Sequence, residues 1–336
     1  MGHAVRSDRD RRGGRISRRG LLVGGGAAAG LVVGWLAWPR SYEPTLPLAE
    51  GDTGFGAWLA IRPDGTVVVA LPQAEMGQGV STVLPQIVAG ELGADWRSVA
   101  VQPADDNPLF ANALVAREWA PAILPPGAAV DFSDETALWA ADSLAERARF
   151  VVTARSSGVR GLETPLREAA ATARALLAMA AAERWGVAPE ACRAENGFIL
   201  HEGKRAKFAE LAVRAAELDP PSPPPLLAAG EDQLAGTAVP RLDLPAKIDG
   251  SANFAGDIRL PDMVYAAMRR GPVGTIRVIA RDRAAAARVP GFVGEVAGRD
   301  WVAALATDSF AARKAVAALT ARFEVAGSGF DDAAID

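Results

Sequence analysis

Thr66-Val-Val-Val-Ala-Leu71, then Pro72, then Gln73-Ala-Glu-Met-Gly-Gln-Gly79, is the stretch whose reading decides the fold. The β-branched run reads as a strand, and Pro63-Asp64-Gly65 ahead of it supplies a turn, so Ala57–Arg62 and Thr66–Leu71 form a β-hairpin. Behind the glycines, Val80, Val83, Leu84, Ile87 and Val88 recur on one face, which predicts a helix from Ser81 to Leu92 closed by Gly93. Pro85 lies about one turn in, where proline is tolerated. Between strand and helix, Gly77 and Gly79 admit left-handed backbone and close approach to a ligand. The helix start offers N–H groups and a positive dipole end to an anion, and Gln78 carries both a donor and an acceptor. An ordinary tight turn would also account for Glu75–Gly79.

Working outward, Pro165–Trp185 reads as a second helix, with Thr164 as its cap and Gly186 as its stop. Asn196-Gly197 marks a tight turn, and Phe208–Leu218 is helical again. His201, at the end of Phe198-Ile-Leu-His201, is expected to be a solvated turn histidine. Five prolines among the six residues Pro220–Pro225 can continue neither a helix nor a central strand, so they mark a boundary. Beyond it, strands are expected at Met263–Arg270, Thr275–Ala280 and Phe292–Ala297, and helices at Asp282–Val289 and Ser309–Ala321. The fold class is mixed α/β. A linker at 41–54 precedes an α+β domain at 55–219, and a Pro-rich linker at 220–239 leads to a small α/β domain at 240–336. Gly327–Asp336 contains no terminating element, so that last domain is expected to be incomplete.

The 336 residues are 50% hydrophobic and 23% charged, the composition of a globular protein of about two domains. The formal net charge is −4, but residues 1–20 hold seven Arg against two Asp, leaving −9 on the remainder. An acidic body repels a phosphate backbone, which disfavours nucleic acid as a partner. Cys192 is the single cysteine, and His201 the single histidine outside the leader. This chain therefore ligates no iron–sulfur cluster and no zinc ribbon, and if the protein uses a redox metal, something other than Cys and His must hold it.

The leader, residues 1–40, follows another logic. Ser17-Arg18-Arg19-Gly20-Leu21-Leu22 has the pattern of a twin-arginine export signal, and Leu21–Trp38 is an uncharged run about 27 Å long as a helix at ~1.5 Å per residue. No small-x-small cleavage site closes the run, and Trp35 and Trp38 suit a membrane interface. The expectation is a periplasmic protein, exported by the twin-arginine route, that keeps its leader as a membrane anchor.

Several stretches taken in order resemble one family. They are Phe55–Val67, Glu75-Met-Gly-Gln-Gly79, Glu91-Leu-Gly-Ala-Asp-Trp96, Phe110-Ala-Asn112, Thr153-Ala-Arg-Ser-Ser-Gly-Val-Arg160, Arg184-Trp-Gly-Val187 and Pro245–Asp257. Together they resemble the N-terminal half of the molybdopterin-binding large subunit of the isoquinoline 1-oxidoreductase type, in the xanthine dehydrogenase and aldehyde oxidase superfamily. The resemblance implies a cofactor-binding α+β domain followed by a hammerhead-like α/β domain. It also implies a molybdenum–pterin cofactor, often as molybdopterin cytosine dinucleotide, held without side-chain metal ligands.

By that resemblance Gly77, Gln78 and Gly79 lie against the pterin. A second loop at Thr153–Val159 brings Ser156 and Ser157 to phosphate oxygens. Here Ala154, Arg155 and Gly158 stand where the family has Gly or Ser, and Arg155 could pair with a phosphate or close the loop. The implied reaction hydroxylates an aldehyde or N-heterocycle with water as oxygen donor. The family's catalytic base lies in its C-terminal half, so no catalytic residue is expected in this chain. Implied partners are a small [2Fe–2S] subunit, a cytochrome-type electron acceptor and, for a split enzyme, a separate C-terminal large-subunit chain. The alternative is a non-catalytic, membrane-anchored cofactor-binding or assembly module of the same fold.

Overall fold

The computed structural model describes Trp38, residues 40–123 and residues 134–326, and the chain divides into two compact units that meet between Asp249 and Gly250. The arginine-rich leader, the anchor expected at Leu21–Trp38 (apart from Trp38 itself) and residues 327–336 lie outside the described residues. Among the described residues, no helix is long and apolar enough to cross a membrane.

The first unit is built on the hairpin of β2 (Leu59–Ile61) and β3 (Val67–Leu71), with Leu59 opposite Val69 and Ile61 opposite Val67. Its turn closes as the residues require: Gly65 has φ 95° and donates its N–H to the Arg62 carbonyl, while Asp64 Oδ1 accepts the Thr66 N–H at 2.8 Å. β1 (Thr53–Phe55) adds antiparallel to β2, and β4 (Val99–Pro103) adds parallel to β3, giving the order β1-β2-β3-β4. A parallel pair needs a crossover, and α1 (Val80–Leu92) provides it. Strand β3 is apolar throughout because both of its faces are covered. Val67 and Val69 pack with Leu84, Val88 and Leu92 of α1, while Ala70 packs with Leu46, Ala60 and Phe110 on the other side.

Two helices, α2 (Ala113–Ile123) and α3 (Glu135–Arg147), precede the long α4 (Ser157–Trp185). Asp134 caps α3 by accepting the Thr136 N–H, and Arg117 joins α2 to α3 through Asp142. Sequence reasoning starts α4 at Pro165; the observed helix begins eight residues earlier and keeps Pro165 inside it. Pro165 removes one backbone donor, but Leu162 and Leu166 on either side are both buried in the core that holds Ala170, Ala173, Leu177 and Ala181. Packing of that stripe overrides the local penalty. Gly186 ends the helix in left-handed geometry, as expected, with its N–H on the Ala182 carbonyl.

Strands β5 (Arg193–Glu195), β6 (Phe198–His201) and β7 (Lys204–Lys207) form a small antiparallel sheet, and Asn196-Gly197 turns between the first two with φ 49° and 79°. His201 corrects the expectation of a solvated turn histidine. It is the last residue of β6, its side chain is 12% exposed, its ring stacks on Trp185, and Nδ1 lies 2.9 Å from the Ala191 carbonyl. Helix α5 (Phe208–Ala215) ends three residues short of the expected Leu218. The Pro-rich stretch and the segment after it stay hydrogen bonded to the first unit, which takes in α6 (Leu244–Ile248) before it ends.

The second unit contains β8 (Tyr265–Arg270), β9 (Thr275–Ala280), α7 (Arg283–Ala287), β10 (Phe292–Ala297), β11 (Trp301–Ala306), α8 (Ser309–Ala318) and β12 (Arg322–Ala326). β10-β11-β8 and β12-β9 are antiparallel sheets around a small core of Ala286, Val302, Ala304, Ala315 and Leu319. Asp282 and Asp308 cap the two helices through the N–H groups of Ala285 and Ala311. Across both units the architecture is mixed α/β.

Candidate functional site

The loop between β3 and α1 is organised by one carboxylate. Glu75 Oε1 accepts the N–H groups of Gly77 at 2.7 Å and Gly79 at 3.0 Å, and Oε2 accepts the N–H and hydroxyl of Ser81 at 2.9 and 2.8 Å. Burial on its own would raise the Glu75 carboxyl, but the donors from Gly79, Ser81 and Gly77 together outweigh it and hold it down at about 2. Gly77 and Gly79 adopt φ 100° and 89°, the left-handed backbone that the sequence anticipates. The start of α1, expected to present unpaired N–H groups to an incoming anion, is already met by Glu75. Gln78 is likewise turned onto its own loop. Its Oε1 accepts the Met76 N–H at 2.5 Å, and its Nε2 donates to the Ala74 carbonyl at 2.8 Å.

The second segment, Thr153–Val159, reaches the same place from the far side. Thr153 Oγ1 accepts the Ala74 N–H at 2.8 Å, tying the two segments together across 79 positions of sequence. Arg155 and Ser156 both have positive φ, 58° and 53°, a geometry that costs roughly 1–2 kcal/mol per non-glycine residue. Ser156 precedes α4, and its side chain caps nothing there. Ser157 is fully buried: its hydroxyl donates to the Ala154 carbonyl and accepts from Asn112 Nδ2, both at 2.6 Å. Arg155 Nε pairs with Glu118 at 3.2 Å, leaving the rest of its guanidinium exposed.

Between the two segments lies a cleft of about 380 Å³, with Gln78, Val80 and exposed Met76 on one wall and Thr153, Arg155 and Ser156 on the other. The volume is within the range of small-molecule and cofactor sites. Sequence reasoning selected Gly77, Gln78, Gly79, Arg155, Ser156 and Ser157. Gln78 and the last three line this cleft, while Gly77 and Gly79 shape the loop that bounds it. The fit to a polar, phosphate-bearing group is testable on the cleft itself. Gln73, 3% exposed, has an Oε1 with no hydrogen-bond partner, and a Cβ on Gly158 would stand 3.8 Å from it and 3.3 Å from Val80 Cγ2. The uncommitted Ser156 hydroxyl and the exposed Arg155 suit the phosphate of such a group, and the unfilled Gln73 acceptor would take an N–H donor from its heterocycle. Among the described residues, no His, Cys, Asp and Glu side chains cluster as metal ligands.

Sequence reasoning missed the support beneath the site. Glu91, fully buried in α1, accepts from Arg167 Nε at 2.9 Å, Arg174 Nη2 at 2.8 Å and the Leu227 N–H at 2.7 Å. The two arginines also hold the carbonyls of Leu227 and Pro225. From there the chain runs back along α1. Asp232 sits where a Cβ on Gly90 would be 2.1 Å away, Gln86 donates to the Leu234 and Thr237 carbonyls, and Thr82 accepts the Leu242 N–H. The available signal was a glutamate in the predicted apolar helix, with two arginines one heptad apart on α4.

Residues 26–114 match a family model described as a molybdopterin cofactor-binding domain, a span that includes the whole Glu75 loop. The chain is 29% identical over 351 residues to the beta subunit of isoquinoline 1-oxidoreductase from Brevundimonas diminuta, covering 91% of this chain and 40% of the relative. It is 27% identical over 324 residues to a membrane-bound aldehyde dehydrogenase (pyrroloquinoline-quinone) of Gluconacetobacter polyoxogenes, covering 90% and 37%. To a subunit of nicotinate dehydrogenase from Pseudomonas putida it is 30% identical over 280 residues, covering 78% and 20%. The chain thus spans 40% or less of the length of each of these relatives.

Proposed function

We propose, starting from a chain that carries a molybdopterin cofactor-binding domain, that this protein is a subunit, or the N-terminal part of one, of a molybdenum-dependent oxidoreductase. The observation that carries the reading is the single cleft in which Gln78 faces Thr153, Arg155 and Ser156. In it the backbone of Gly77–Gly79 would border the pterin, Ser156 would donate to phosphate oxygens of a dinucleotide tail, and the exposed side of Arg155 would neutralise phosphate charge. When bound, the molybdenum–pterin group supplies the two-electron redox centre at which an aldehyde or N-heterocycle is hydroxylated with water as oxygen donor. This chain's residues bind and orient, and no catalytic base is assigned among them.

On the same premise the second unit, with five strands and two α-helices among its described residues, is the hammerhead-like domain. Electrons leave through a small [2Fe–2S] subunit toward a cytochrome-type acceptor. The subunit designations of two relatives support an assembly with partner subunits in general; a split enzyme would add a C-terminal large-subunit chain to them. Arg18-Arg19 and Leu21–Trp38 support twin-arginine export to the periplasm with the leader kept as an anchor.

Purifying the native complex and measuring molybdenum and pterin against protein tests the proposal. Near-stoichiometric amounts of both are expected, and a complex free of both would overturn it. Gln78 and Ser157, whose polar groups are engaged inside the protein, favour a second reading, a non-catalytic assembly module. That reading requires that no aldehyde or N-heterocycle reduce the complex, with or without bound cofactor.

A further inference from the structure

We infer that Arg241 is the positioning residue of the cofactor loop, acting on the pterin only through Gly77–Gly79; this rests on the function proposed above. The Glu75 carboxylate already accepts four hydrogen bonds, so it fixes both glycines relative to the start of α1. Those four donors all lie within six residues of Glu75, in the loop and the first turn of α1. Met76 and several of the loop's hydrogen bonds are exposed to solvent, features of a segment that opens locally.

Arg241 adds a constraint from outside the loop, 166 positions away. Its Nη2 lies 3.4 Å from Glu75 Oε1, and its Nη1 lies 3.3 Å from the Gly77 carbonyl oxygen. A Cβ on Gly79 would stand 4.0 Å from the same Nη1, so the guanidinium also lies against the second glycine.

The guanidinium is itself oriented. Asp243 accepts it in a fork, Nε to Oδ1 at 2.9 Å and Nη2 to Oδ2 at 2.8 Å, and Lys247 pairs with the same carboxylate. The Leu242 N–H, donating to Thr82 Oγ1 at 3.1 Å, pins the intervening backbone to α1. A planar group held on one edge presents its other N–H groups in a fixed direction, which an ammonium on a flexible stem does not do. Arg241→Lys therefore keeps the charge and loses the geometry.

The test is amide hydrogen exchange on the full chain, with and without bound cofactor, for wild type, Arg241→Ala, Arg241→Lys and Asp243→Asn. In the cofactor-free chain, Arg241→Ala should speed exchange at Gly77, Gly79 and Ser81 by about tenfold, as expected for loss of charge-assisted bonds, with β2 and β3 unchanged. Arg241→Lys should resemble Ala more than wild type, and the cofactor retained after purification should fall in step. Should Arg241→Ala fail to fold, Asp243→Asn, which frees the guanidinium without deleting it, should give the same local signature. Loop exchange unchanged in both Arg241→Ala and Asp243→Asn would overturn the inference, as would faster loop exchange with undiminished cofactor retention. Faster loop exchange in these variants, beside a wild type that never holds molybdenum or pterin, would overturn the function proposed above while upholding the loop's dependence on Arg241.

Discussion

The Asn112 side-chain amide donates to Ser157 Oγ at 2.6 Å, and the same amide donates to the Val152 carbonyl at 3.0 Å. One buried side chain thus ties the extended segment before the second loop to the first turn of α4. Adjacent serines acquire opposite roles from it. Ser157→Ala leaves Asn112 without its partner and should cost roughly 1–3 kcal/mol in urea unfolding. Ser156→Ala should change stability by no more than about 0.5 kcal/mol and lower cofactor affinity.

Glu91 is the most exacting buried group in the first unit. Replacing it by Ala strands Arg167 and Arg174 and releases the backbone at Pro225 and Leu227. Breaking a buried ion cluster from one side should cost roughly 3–5 kcal/mol. Thermal unfolding should show the loss, and limited proteolysis should show new cleavage between Pro225 and Leu242.

Gly77 and Gly93 share positive φ but differ in surroundings. A Cβ at Gly77 meets nothing within 4 Å, whereas one at Gly93 would stand 2.8 Å from the Ala194 carbonyl oxygen. Gly77→Ala should therefore cost only the left-handed penalty, about 1–2 kcal/mol, and show itself mainly in weaker cofactor retention. Gly93→Ala should destabilise the fold further, because backbone must move. Comparing the two melting temperatures with the two cofactor contents checks both statements.

The Glu75 carboxyl is held at about 2, below its ordinary 4.5, so the folded loop favours the anion. A depressed carboxyl stabilises fully above its unfolded value and loses that contribution as pH falls through the folded one. The stability difference between wild type and Glu75→Gln should be flat above pH 4.5 and shrink toward pH 2. A difference that instead grew on acidification would contradict the hydrogen bonding described.

What was legible in the sequence was local. Pro63-Asp64-Gly65, Asn196-Gly197 and the Gly186 stop carry their geometry within a few residues, and each adopts it. The glycines of the Glu75 loop were legible for the same reason. The inward use of Ser157 was not, because Asn112, which claims it, lies 45 positions away. The start of α4 was misplaced because a proline rule is local, while the packing of Leu162 and Leu166 that overrules it is not. The Pro-rich stretch looked like a spacer because its partner, Glu91, lies 136 positions before Leu227, and a glutamate in an apolar helix does not say which distant segment it holds. In the second unit, β11 and β12 escaped notice because alanines and charges dilute the β-branched pattern, as in Trp301-Val-Ala-Ala-Leu-Ala306.

The 166 positions between Glu75 and Arg241 also set a clock. A ribosome adding roughly 5–20 residues per second needs on the order of 10–30 seconds to pass from one to the other. Throughout that interval the glycine loop exists without its guanidinium, and α1 without the length of chain that will lie along it. Loading a large prosthetic group onto the nascent chain would find that wall of the cleft unfinished. The implied order of manufacture is translation past Leu242, closure of the first unit, and only then insertion of the cofactor.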